Sequence, residues 1–140
     1  MKDIKEAGVM LIVEDGLILG ISRRHDKTKF GLLGGKVNHG ETVKQAAIRE
    51  SKEEAAVTVH DCALIYHRVE PADGPNGMDF HAYCYYATSW SGNPVNSEEG
   101  IVKWLTADDI TAADSAFGEY NRKTLDIFKT MFPDVYIKGE

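Results

Sequence analysis

The chain has 140 residues, 43% of them hydrophobic and 27% charged, with a formal net charge of −6. That length suits one domain with a single sizeable core, and the composition is ordinary for a soluble globular protein. The acidic balance argues against a nucleic-acid polymer as partner, because polyanions are met by basic faces.

A small phosphorylated ligand stays open, provided a metal supplies the missing positive charge. Apolar runs such as "GVMLIV" are far too short to cross a bilayer, so no membrane is expected. "MKDIKEAG" lacks the architecture of a secretory signal, and the cytoplasm is the expected location.

In chain order, "AGVMLIV" and "LILGISRR" flank "EDG", which predicts a β-hairpin with Gly16 at the turn. "HDKTKFG" reads as a polar loop, and "LLGGKVNHGE" as an irregular segment that uses the freedom of its glycines. A helix opens at Thr42, where Thr42 and Gln45 form a capping-box variant, and runs to about Ala55. "TVHDCALIYHRVE" and "DFHAYCYYATSW" are long strands with "PADGPNGM" as a loop between them. "SGNPVNSEEG" is a loop and "IVKW" a short strand. Thr106 opens a brief helix, with Asp109 completing a second box. From Glu119 to Phe132, Tyr120, Thr124, Ile127, Phe128 and Met131 recur at helical spacing. Helices alternating with strands predict an α/β layered domain on a mixed sheet, and no linker divides 1–140.

Cys62 and Cys84 lie far apart in strand-like stretches without CxxC spacing; they read as buried reduced thiols, with a disulfide as the minority alternative. His25, His39, His60, His67 and His81 show no metal-ligand spacing and read as structural or exposed.

The stretch "RESKEEAAV" carries the chemistry. Glu50, Glu53 and Glu54 stand at i, i+3 and i+4, so a helix gathers them on one face. On that helix they continue the stripe of Val43, Ala46 and Ala47, which faces the sheet. Like charges at this spacing cost roughly 0.2–0.5 kcal/mol per pair. The C-terminal end of the helix dipole adds about 0.3–1 kcal/mol. A solvated charged face explains this poorly: Lys52 points away, and Arg49 is expected to pair with one carboxylate rather than three. A divalent cation removes the repulsion, and Mg2+ takes carboxylate oxygens while keeping waters. Upstream, "GGK" sets flexible backbone and Lys36 near the helix start, where N–H groups can hold phosphate oxygens.

"GKVNHGETVKQAAIRESKEEAAV" resembles the Nudix box. Gly35, Glu41, Arg49, Glu50, Glu53, Glu54 and Val57 match its pattern, whereas Ser51 replaces an aliphatic residue and Ala56 the final glycine. The resemblance implies a Nudix fold, an α/β/α sandwich around a mixed β-sheet. It also implies Mg2+- or Mn2+-dependent hydrolysis of a nucleoside diphosphate linked to another moiety. Carried over by position, Glu50, Glu53 and Glu54 are metal ligands, with the Gly34 carbonyl as a further one. Arg49 orients a glutamate, and Glu41 supports the loop–helix entry or a second metal. Glu53 or Glu50 is the general base, with Glu98 or Glu99 as outside candidates. Ser51 affects packing more than chemistry. Ala56 stands where the chain leaves the helix, where a left-handed residue costs about 1–2 kcal/mol unless it is glycine.

For the small-molecule nucleotide substrate, Arg23 reads either as a phosphate contact or as a plain surface arginine. Gly35 and Lys36 belong to the phosphate loop. Phe30, Tyr83, Tyr85 and Tyr120 could stack on a base or fill the core. Asn121 could read a base edge or open a helix. Pro71 follows the box much as a proline does in ADP-ribose-cleaving relatives, though a loop proline needs no such explanation. The leading expectation is a nucleoside triphosphate pyrophosphohydrolase of the housekeeping, MutT-like kind, acting as monomer or homodimer. The alternatives are an ADP-ribose or nucleotide-sugar pyrophosphatase, and a non-catalytic sensor.

Overall fold

The computed structural model describes residues 4–24, 26–70, 79–112 and 117–139. The expected hairpin joins β2 (Val13–Glu14) to β3 (Leu17–Ser22). Its turn has positive φ at both central residues, 52° at Asp15 and 79° at Gly16, the primed geometry that suits the twist of the flanking strands. The preceding apolar run is a separate strand, β1 (Ile4–Leu11).

The segment expected to be irregular is instead a strand, β4 (Phe30–Lys36). It pairs antiparallel with β1, Gly8 opposite Gly35 and Val9 opposite Gly34. Its glycines hide the strand because they replace the alternating side chains on which sequence patterning depends. Gly34 and Gly35, and Gly8 opposite them on β1, are there for close approach. A Cβ on Gly8 would meet the Val43 carbonyl oxygen and stand 2.7 Å from the Ala47 amide nitrogen, so helix α1 (Val43–Ala55) lies directly on the β1 backbone.

β5 (Thr58–Glu70) and β6 (Asp79–Ser91) pair antiparallel over almost their full length, and β1 runs parallel to β6. The sheet order is β2-β3-β4-β1-β6-β5, with β7 (Val102–Leu105) pairing β3. The sheet is therefore mixed, as expected. The loop at 71–78, Pro71 and His25 lie outside the described residues.

α1 covers one face over a core of Met10, Ile12, Leu33, Ala47, Val57 and Val59. α2 (Ala107–Thr111) and α3 (Gly118–Met131) cover the other, over Leu11, Ile18, Cys84, Leu105, Ile110 and Phe128. This is the α/β/α sandwich. Both predicted capping boxes form, Thr42 with Gln45 and Thr106 with Asp109. The stripe of α3 is rotated from its expected position: Leu125 is buried and Met131 is 45% exposed. Cys62 and Cys84 are free and buried. Among the described residues, no helix is long and apolar enough to cross a membrane.

The two departures in the α1 region find local explanations. Ser51 is fully buried and its hydroxyl donates to the Ala47 carbonyl at 2.8 Å, so no polar atom is stranded in the core. Ala56 caps the helix in the left-handed region, φ 60° and ψ 29°, with its N–H donating to the Lys52 carbonyl. A glycine there needs no Cβ relief. Ala56→Gly is therefore expected to stabilise the fold by about 1 kcal/mol, offset in part by the greater entropy of the unfolded glycine. Equilibrium urea unfolding reads this as a rise in midpoint, and a fall contradicts it.

Candidate active site

Helix α1 aims its acidic face at the Gly34–Gly35 stretch of β4. Glu54 is 8% exposed and accepts the Gly34 N–H at 2.7 Å. Glu50 packs against Gly35, where a Cβ would stand 2.6 Å from the Glu50 carboxyl carbon. Glycine at 35 is thus a requirement of the carboxylate rather than of backbone freedom.

Carboxylate oxygens of Glu50, Glu53 and Glu99 lie within 4.8 Å of one another. Glu99 reaches the group from the loop before β7, with its N–H held by the Ser97 hydroxyl at 3.2 Å. Of the two neighbouring loop acids, Glu99 enters the cluster, whereas Glu98 is exposed outside it. Glu54, expected to ligate, sits deeper, against β4.

Arg49 does more than the sequence suggested. Instead of pairing with one carboxylate of the triad, its Nη1 donates to both Glu50 Oε1 at 2.8 Å and Glu53 Oε2 at 3.0 Å. Its Nε and Nη2 reach the two oxygens of Glu41, and Nη2 also donates to the Lys36 carbonyl at 3.0 Å. One guanidinium therefore ties the helix to β4 and to the loop before it, using donors in a fixed plane. Glu41 also accepts the Asn38 N–H at 3.0 Å, which fixes the loop entry.

The electrostatics follow this depth. Hydrogen bonding by Arg49 and then by the Asn38 N–H holds Glu41 below the usual carboxylate range. Burial pushes Glu50 up, with Arg49 opposing. Burial pushes Glu54 up to about 8; the Gly34 N–H opposes this, and the neighbouring carboxylates Glu50, Glu99 and Glu53 add to it. Without a cation, folded Glu54 holds its proton where the unfolded chain has lost it. Stability of the metal-free protein is then full below the ordinary glutamate value and falls as pH rises towards 8. Melting temperatures in chelator should drop from pH 5 to 8, and an excess of divalent ion should flatten the profile. A rise with pH in chelator would contradict the raised carboxyl.

A cavity of about 280 Å³ opens on the opposite side of the same glycines, towards α3. Ala7, Val9, Leu32 and Ala82 form its apolar walls, and Lys36, Glu70 and Asn121 its polar points. Gly34, Gly35 and Tyr120 line it as well. The Asn121 amide Nδ2 donates to the Ile110 carbonyl at 2.8 Å, so this residue also ties α3 to α2. Lys36 Nζ lies 5.8 Å from the Phe80 ring centre, and the Arg23 guanidinium lies 5.7 Å from that of Phe117. Arg23 thus touches Phe117, a lining residue, without lining the cavity itself.

The aromatic and charged lining residues that escaped sequence reasoning are Phe80, Phe117 and Glu70. Phe117 precedes α3 in a left-handed conformation without a side-chain cap, which leaves no signature in the sequence. Glu70 has one, the alternation Arg68–Glu70, which pairs along one edge at 2.8 Å. Of the aromatic residues considered for stacking, Tyr120 lines the cavity; Phe30, Tyr83 and Tyr85 do not.

The geometry has counterparts. The NUDIX domain model matches residues 4–126. Oxidized purine nucleoside triphosphate hydrolase of Danio rerio is 34% identical over 105 residues, 73% of this chain and 66% of that protein. The Mus musculus protein of the same name is 32% identical over 108 residues, covering 76% and 68%. The chain thus spans about two thirds of the length of these relatives. A MutT NUDIX hydrolase from Burkholderia pseudomallei superimposes with a TM-score of 0.74 at 28% identity, covering 89% of this chain and 98% of that one. MutT protein from Methanosarcina mazei Go1 shares the fold at a TM-score of 0.74 and 20% identity, over 93% and 96%. The matched span opens with β1 and closes inside α3, so it takes in the acidic helix and both faces of the sheet: the chain belongs to the Nudix family of hydrolases.

Proposed function

We propose that the protein is a Mg2+-dependent nucleoside triphosphate pyrophosphohydrolase that releases a nucleoside monophosphate and pyrophosphate. The observation that carries this reading is the shared wall. Gly34 and Gly35 touch Glu54 and Glu50 on one side and line the apolar cavity on the other. A base held in the cavity sends its phosphates past the glycines to the carboxylates.

The residues present suit a hard divalent cation: Glu50, Glu53 and Glu99 converge, all as oxygen donors, and Glu54 is close behind. Mg2+, or Mn2+ in its place, would be held there, with the Gly34 carbonyl as a further donor; when bound it neutralises phosphate charge and makes water more acidic. Glu53, the most open of the three helix acids with its side chain 48% exposed, accepts a proton from the attacking water. Glu50 is the alternative base. Arg49 fixes the orientation of both, and Glu41 fixes Arg49. The water oxygen bonds to phosphorus as the phosphoanhydride bond breaks, and pyrophosphate leaves. Lys36 and Arg23 meet phosphate charge, while Phe80, Phe117 and Tyr120 surround the base and Asn121 faces its edge.

The relatives named for oxidized purine nucleoside triphosphates support a purine triphosphate as substrate. The test is a panel of ordinary and oxidised nucleoside triphosphates, ADP-ribose and sugar nucleotides with Mg2+, read by phosphate release after pyrophosphatase coupling and by direct product analysis. A monophosphate and pyrophosphate from a triphosphate, lost on adding chelator, is the expected result. Turnover confined to ADP-ribose or sugar nucleotides overturns the substrate class. Tight binding without turnover of any compound overturns hydrolysis.

A further inference from the structure

The row of residues that runs from Gly35 through Gly8 continues across the sheet to Tyr83 on β6 and His67 on β5. His67 therefore lies three strand spacings from Gly35, ~14 Å at about 4.8 Å each. α1 crosses Gly8 between them. At the far end of the row His67 and His81 stand diagonally on neighbouring strands. His67 Nδ1 and His81 Nε2 face each other at 2.9 Å. The Tyr83 ring stacks on both imidazoles, with centroids at 5.2 Å and 4.3 Å, which fixes their planes.

The other nitrogen of His81 has its own partner. Nδ1 faces the Tyr83 hydroxyl at 3.5 Å. In the tautomer protonated at His81 Nδ1, the Tyr83 oxygen accepts from that N–H. The His81 Nε2 lone pair is then left pointing at His67. A partner on the other ring nitrogen is how proteins fix the tautomer of a ligating histidine.

We propose that His67 and His81 form a second metal site, separate from the carboxylate cluster, for an imidazole-seeking divalent cation of the Zn2+ or Cu2+ class. The cation takes the place of the single proton that the two facing nitrogens share. Metal–nitrogen bonds of about 2.0–2.1 Å, at right angles, span about 2.9 Å between the two nitrogens. The separation thus suits tetragonal Cu2+ once the rings turn their lone pairs from each other towards the ion, and tetrahedral Zn2+ also needs the rings to part by a few tenths of an ångström. Waters complete the shell, since His67 is exposed to solvent. Mg2+ prefers oxygen and does not compete here, so the two sites sort cations by ligand type.

The test uses the full chain with saturating Mg2+, so that the carboxylates are occupied. Cu2+ titration followed by electron paramagnetic resonance should show one equivalent with hyperfine coupling from two nitrogens. Zn2+ should shift the ring-proton resonances of His67 and His81 together. His67→Gln and His81→Gln should each lose the two-nitrogen signal and weaken Zn2+ binding tenfold or more, while His67→Gln keeps Mg2+-dependent hydrolysis. A wild-type spectrum without nitrogen coupling overturns the site. So does a two-nitrogen signal that survives both substitutions, which would assign the metal to other histidines. Neither outcome touches the hydrolase reading, whose assay contains Mg2+ alone.

Discussion

Glu53→Gln is expected to lower kcat by roughly 10²–10⁴-fold, the usual contribution of a positioned general base. The substitution keeps the shape and the Arg49 contact at 3.0 Å, because the amide oxygen can still accept. It removes the charge and the proton-accepting capacity. Glu53 is half-exposed, so the fold should be undisturbed and the circular dichroism spectrum and melting temperature nearly unchanged. The wild-type and variant rates are compared at saturating Mg2+ and substrate, with Mg2+ titrated separately. A near-normal kcat would remove Glu53 from the chemistry. A rate restored by raising Mg2+ would make it a ligand only and pass the base to Glu50.

Gly35→Val should damage activity and stability together. The first added carbon already stands 2.6 Å from the Glu50 carboxyl carbon and 2.7 Å from its Oε1. A branched side chain there has two choices. It can displace Glu50, which breaks the pair with Arg49 at 2.8 Å and scatters the cluster. Or it can lift α1 from β4, which opens the core over Leu33 and Ala47. Overpacking of this kind costs about 1–3 kcal/mol. Loss of positioning at a cluster costs on the order of 10²-fold in rate. Thermal unfolding and the coupled phosphate assay on the same sample read both effects. Retention of full rate would mean that Glu50 is not held by this contact.

How far the sequence reached depended on what each feature asks of it. Capping boxes at Thr42 and Thr106, the Asp15–Gly16 turn and the long β-branched strands are local, and each forms where its own residues predict. The acidic face of α1 was also legible, since helical spacing is a fixed rotation. β4 was not, because its glycines answer to Glu50 on α1 and to the close backbone of β1, not to strand propensity. The choice between Glu98 and Glu99 depended on a loop orientation set by Ser97 and Gly100. Arg49 exceeded its expected role because two of its partners, Glu41 and Lys36, come within reach only when loop and helix close on β4. His67 and His81 have no ligand spacing along the chain and meet only through the β5–β6 register.

The parallel pairing of β1 with β6 bears on how the chain is made. β1 is central, yet Ile4 waits for Asp79, which emerges from the ribosome long after β4 and α1 have passed. Until then β1 can zip only to β4, leaving one full edge of backbone N–H and C=O groups open beside a nearly formed acidic helix. Such an edge is a template for pairing with another nascent chain. Long-range pairing of this kind also closes slowly, since loop entropy must be overcome before the contacts form. Growth rate and temperature should therefore govern the yield of native protein more through this one seam than through any of its antiparallel ladders.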